Sequence, residues 1–113
     1  MELHSPRRDP YSPVNKRVDE LKEQGFTQEF SVKDDTTLHD EAGKTYPAAA
    51  VSIISIDRFE NRENKTENQM VIAFEANDGS KGFMVEKYGA DEDETVTNFL
   101  LNADQSEAVN KYY

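Results

Sequence analysis

The chain contains no cysteine. That excludes disulfides, thiolate nucleophiles, cysteine-built zinc sites and iron–sulfur clusters, so the fold must stand on packing alone. Histidine is nearly as scarce: His4 and His39 are the whole supply of imidazole, which leaves little for general acid–base catalysis near neutral pH. The five glycines are scattered, and Gly79-Ser80-Lys81-Gly82 lacks the strand-to-helix setting of a phosphate-binding loop. No Gly-x-Ser-x-Gly elbow is present, so serine hydrolase chemistry is not expected. No apolar run approaches the roughly 20 residues of a membrane helix. The N-terminal residues, with Arg7, Arg8 and three prolines, have no apolar signal-peptide core. The expectation is a cytoplasmic protein that uses no cofactor and no metal.

Acid is what the sequence has in abundance. Its 113 residues carry 23 Asp and Glu against 13 Lys and Arg, a net charge of −10. Within residues 14–102 the balance is 19 acids to 10 bases, so the acidity belongs to the folded part rather than to the ends. Nucleic acid and anionic membrane surfaces select clustered Lys and Arg, and both are disfavoured as partners. A basic protein or a small cationic partner fits better. A mimic of nucleic acid would need its acids aligned on one face, and here lysines and arginines are interspersed among them.

The length suits one domain. A hydrophobic content of 35% and a mean hydropathy of −0.87 are polar enough to leave the ends unpacked. We expect a disordered arm over residues 1–12, a single domain over 13–102 and a frayed tail over 103–113.

Ser12-Pro13 suits a helix N-cap and first helical position, and Val14, Val18 and Leu21 then share one face. Gly25 is a natural left-handed stop, with Leu21 and Phe26 placed to touch in a Schellman ending. This predicts a helix over 13–24. From Thr27 the period becomes two, with Phe30 and Val32 pointing inward. A weaker strand follows near residues 36–40 with Leu38 inward, and Glu41-Ala42-Gly43-Lys44 is a turn signal. After Tyr46-Pro47 the three alanines suit either a short helical turn or an extended link.

Residues 51–60 are rich in β-branched side chains and read as a central strand, although Ile53-Ile54 puts apolar groups on both faces. Either both faces are covered or a bulge sits there. Residues 61–68 are wholly polar and read as an exposed loop. Two alternating runs, 69–76 and 81–88, flank Asn77-Asp78-Gly79-Ser80, a hairpin signal. A two-residue Asp78-Gly79 loop would set Phe74 opposite Phe83 and Ile72 opposite Val85, all on one side. Finally, Asp91-Glu92-Asp93-Glu94 precedes Val96, Phe99 and Leu100 at helical spacing, and Asp91 with Glu94 suggests a capping box.

Few residues suggest chemistry. His39 beside Asp40 reads as a turn histidine, because neighbours on a strand point to opposite faces. The run Asp91–Glu94 lacks the alternating ligands of a calcium loop and is read as a helix cap. Arg58, inside an otherwise apolar strand, must reach water or a carboxylate such as Glu60, its same-face neighbour. Tyr46 and Tyr88 are amphipathic and suit either a core or a pocket wall.

The order of Gly25-Phe26-Thr27-Gln28-Glu29-Phe30, Tyr46-Pro47, Asp57-Arg58-Phe59-Glu60, Asp78-Gly79-Ser80-Lys81-Gly82 and Tyr88-Gly89-Ala90 resembles a family of small bacterial proteins of unknown function, often labelled phosphoribosylpyrophosphate synthetase. The resemblance spans residues 14–100. The family brings no established catalytic residues, and the loop and paired sites of the true synthetase have no counterpart in the sequence. The chain departs from the family pattern at Asp91, where another aromatic is expected. The resemblance suggests that Arg58, Lys81 and Tyr88 cluster on one surface as ligand-binding residues.

These readings predict an α+β domain: an N-terminal helix, an antiparallel sheet of four to five strands, and a C-terminal helix packed on one face. The functional expectation is a small non-catalytic binding or regulatory module that uses an acidic surface or a free sheet edge. The alternative is a small-ligand-binding protein or small enzyme using Arg58, Tyr88 and nearby carboxylates.

Overall fold

The computed structural model describes residues 12–60, 68–89 and 92–112. Helix α1 spans Pro13–Glu23. Ser12 caps it by accepting the Asn15 amide at 3.1 Å, which satisfies one of the amides left unpaired at a helix start. At the other end Phe26 N–H donates to Leu21 O at 2.9 Å and Gly25 N–H to Lys22 O at 3.1 Å, with Gly25 at φ +97°. This is the expected Schellman ending, and it folds Phe26 back beside Leu21.

The strands are β1 (Gln28–Glu29), β2 (Ser31–Asp34), β3 (Thr37–His39), β4 (Thr45–Pro47), β5 (Val51–Phe59), β6 (Gln69–Ala76), β7 (Lys81–Lys87) and β8 (Val109–Tyr112). A 3₁₀ turn over Ala48–Ala50 resolves the alanine connection as helical. Helix α2 spans Glu94–Asn102. The sheets run β1-β7-β6-β5-β8 and β2-β3-β4, so the protein is α+β.

The larger sheet is mixed rather than antiparallel. Its centre, β5-β6-β7, is antiparallel, but β1 joins β7 and β8 joins β5 in parallel. Phe30 is the point where the chain leaves one sheet for the other: its amide still donates to Phe83 O at 2.9 Å, and β2 then pairs with β3.

The 69–88 hairpin forms, but one residue out of the expected register. Phe74 faces Gly82, Ala73 faces Phe83 and Ile72 faces Met84. The reason lies in the turn. A two-residue loop would need positive φ at Asp78 as well as Gly79, and among the described residues only glycines adopt it. Instead Ala76 N–H donates to Ser80 O, and Gly79, at φ +91°, ends a three-residue loop. Because side chains alternate, this slip sends the two phenylalanines to opposite faces.

Each face has its own cover. On one side α1 lays Val18 and Leu21, with Phe26 just beyond its end, over Val71, Ala73 and Phe83. On the other, α2 and the small sheet enclose Ile53, Ile56, Met70, Ile72, Phe74 and Met84. Edge-to-face contacts link Tyr46 to Phe30, Phe30 to Phe74 and Phe74 to Phe99, with centroids 5.7, 6.1 and 6.2 Å apart. A bulge between Ile53 and Ser55 lets both isoleucines of the pair 53–54 be used: Ile53 enters the second core and Ile54 rests half-buried against the first.

Two further expectations are corrected. Helix α2 is capped by Asp93, whose carboxylate accepts the Thr95 amide at 2.9 Å, while Asp91 lies outside the described residues. The segment expected to fray is instead attached along β5. Asp104 exchanges backbone bonds with Val51 and Ile53, and β8 then pairs with residues from Ser55 to Arg58. Backbone pairing, which composition does not report, holds it there. The expected arm falls almost wholly on residues outside those described, as does most of the 61–68 loop.

Candidate functional site

Alternation along β5 sends Asp57 toward α1 and Arg58 toward the face of α2. The Arg58 guanidinium reaches sideways over the neighbouring strand: its Nη1 donates to Asn110 Oδ1 at 3.0 Å, and its plane lies 4.9 Å from the centre of the Tyr112 ring. The expected pairing with Glu60 is not formed. Arg58 makes no ion pair among the described residues. A hydrogen bond at one edge and a ring beneath fix the planar fork in place.

Tyr88 follows β7, with its amide bonded to Asn68 O at 3.2 Å, and its ring packs half-buried at the rim of the α2-side core. Burial pushes its hydroxyl above the ordinary phenol value; Glu60 and Tyr112 act in the same direction and Arg58 against it. Arg58, Glu60, Tyr88 and Tyr112 therefore share one corner. Lys81 does not join them. It begins β7 while Tyr88 follows its end, roughly 23 Å along the strand at 3.3 Å per residue, and its ammonium sits 4.9 Å from the centre of the Phe26 ring. Two of the three expected ligand-binding residues are brought together and the third is not.

Asn110 and Tyr112 were missed because they sit in the segment expected to fray, although Val109-Asn110-Lys111-Tyr112 carries a short strand-like alternation. The pair Arg17–Asp57 was missed too. Arg17 Nε donates to Asp57 Oδ2 at 2.7 Å, from the helix to a carboxylate only 2% exposed. Its signal was a charge at position 17, on the stripe of Val14, Val18 and Leu21, facing a charge within an apolar strand.

A second concavity lies on the α1 face. The helix crosses diagonally, from Asp57 on β5 to Phe83 on β7, where Lys22 sits 5.6 Å from the ring centre. This leaves one corner of the sheet uncovered. There Ser52, Glu75 and Asp104 line a shallow cleft of about 340 Å³, continuous with a smaller recess that adds Ile54, Ser106 and Glu107. The Asp104 carboxyl is held below its ordinary value by the Ser106 amide. Among the described residues no imidazole stands beside its serines: His39 lies on β3, opposite Ser31 and Thr45. Nor does His39 form an acid–base pair with Asp40, whose carboxylate accepts the amides of Ala42 and Lys44.

Among the described residues no three His, Asp or Glu converge as metal ligands, and no helix is long and apolar enough to cross a membrane. Compared with family models, curated proteins and solved structures, the chain matches none.

Proposed function

We propose that this protein is a small, cytoplasmic, non-catalytic binding module that takes up a partner segment along β8. One observation carries the reading: among the described residues β8 pairs with β5 on one side only, and all four of its residues are exposed, Val109 at 52% and Tyr112 at 72%. Unpaired strand edges recruit extended chain through main-chain hydrogen bonds. β1, at the opposite edge, is two residues long and offers much less. The bacterial family that the sequence motifs resemble brings no established catalytic residues, in keeping with a binding role.

The test is a photo-crosslinking residue placed at Asn110 in cells, with one at Glu23 on the exposed face of α1 as the control. Covalent adducts formed from position 110 and absent from 23 are the expected result; none from 110 under any growth condition would end the proposal. The second reading, a small-ligand site, is favoured by the gathering of Arg58, Glu60 and Tyr112 around Tyr88. A metabolite that raises the melting temperature of the native chain but not of its Arg58→Gln and Tyr88→Phe variants would support it.

A further inference from the structure

The geometry points to an extended, acidic partner segment that adds to β8 as a further strand, one of its carboxylates gripped by Arg58. This rests on the edge-binding reading above and names the chemistry of the partner. Arg58 is rooted on β5, yet its contacts, Asn110 and Tyr112, are both on β8. Its guanidinium has thus crossed the roughly 4.8 Å between strands, and an added strand lies one such step beyond. A side chain on the α2 face of that strand falls within its reach.

The guanidinium can also accept such a group. Among the described residues one of its five N–H donors is engaged, by a neutral amide, and no carboxylate pairs with it. The rigid fork matches a carboxylate in two-point geometry, and its fixed position lowers the ordering cost on binding. β8 carries no acid of its own, and Lys111 sits on the opposite face from Asn110 and Tyr112. An added strand with acids at alternate positions presents all of them on one face, and on the α2 face they meet Arg58. Glu107 precedes β8, so the acids of the partner belong at the Tyr112 end.

A second copy of this chain fits less well. Antiparallel pairing of β8 with itself brings the Arg58 and Lys111 charges of two copies toward one another. For an acidic peptide, the distant acids of the protein are screened beyond roughly 8 Å at physiological salt, whereas the contacts at the edge are not.

The test uses the full chain with two synthetic probes, a Thr-Glu repeat peptide and its Thr-Gln isostere, read by binding titration and amide hydrogen exchange. The Thr-Glu peptide is expected to protect residues 109–112 and to bind about tenfold tighter than the isostere. Arg58→Gln should bring the two peptides to equal affinity, and Arg58→Lys should restore part of the difference. The comparison of the two peptides on the native chain stands even if a variant fails to fold. Equal affinity, with protection still at 109–112, would overturn the acidic partner and leave the edge reading standing. Protection by neither peptide, or protection elsewhere, would overturn both.

Discussion

Arg17 and Asp57 join α1 to the middle of β5 through a 2.7 Å hydrogen-bonded ion pair whose two ends differ in their access to water. The arginine side chain is 21% exposed and also meets Glu20 at 3.1 Å, whereas Asp57 is 2% exposed. Burial, the largest single influence, opposes the arginine charge; the hydrogen bonds and charges of Asp57 and Glu20 together outweigh it and lift the guanidinium above its ordinary pKa. Truncating either end therefore loosens α1 from β5. Arg17→Ala and Asp57→Ala are each expected to destabilise by about 1–3 kcal/mol. Urea unfolding of both variants and the double mutant measures the coupling between the two ends, and fully additive losses would contradict it.

Gly82 makes the β1–β7 contact possible. A Cβ there would stand 2.2 Å from Gln28 O and 2.6 Å from the Phe30 ring, and the first of these atoms is backbone that cannot swing away. Gly79, at φ +91°, has open space around it instead. Gly82→Ala should cost about 3 kcal/mol or more by overpacking, and Gly79→Ala about 1–2 kcal/mol through backbone strain. Thermal unfolding of the two variants side by side gives the ordering. A Gly82→Ala protein as stable as the parent would mean that β1 does not lie against β7.

The sequence disclosed what is decided locally. The ends of α1 depend on Ser12 and Gly25, within a few residues of the groups they satisfy, and the inward set Phe30, Leu38, Ile72 and Phe74 follows from a period of two. What escaped depends on distant chain. The register of the hairpin turned on whether Asp78 takes positive φ, and the shift of one residue moved Phe83 to the other face. β8 is held by pairing with β5, some 54 residues earlier by the match of Val109 to Ser55, and nothing in its own composition announces that. The site followed the same rule. Arg58 was conspicuous as a charge in an apolar strand, but Asn110 and Tyr112, which orient it, lay in the part of the chain that composition assigned to solvent.

Lys44 donates to Asp78 at 2.6 Å and ties the 40–44 turn to the hairpin loop. That hydrogen bond, with help from the Ser80 amide, pulls the Asp78 carboxyl down to about 2 from an ordinary value of 3.8. A depressed carboxylate contributes its stability above the ordinary value and loses it as pH falls toward the folded one. Asp78→Asn should therefore lower the melting temperature near pH 6 and change it little near pH 2. Both ends of the pair are solvent-exposed, so the effect is small. A difference that persists undiminished near pH 2 would show that the loop is held by something other than this charge.

Glu86 titrates in the opposite sense. It lies half-buried on β7, facing Met70 across the strands and turned toward the start of α2. Burial, aided by the charge of Asp93, raises its carboxyl above the ordinary 4.5. Below that ordinary value the group is protonated in both folded and unfolded chains and has no effect. Above its folded value it is ionised in both, and the folded state then bears the cost of a partly desolvated charge beside another of like sign. Glu86→Gln removes that cost without changing the shape of the side chain. The variant should melt higher than the parent near pH 7 and at the same temperature near pH 4, and scans at the two pH values decide it. A gain of equal size at both would assign the effect to packing, and a loss near pH 7 would mean that the ionised Glu86 stabilises the start of α2.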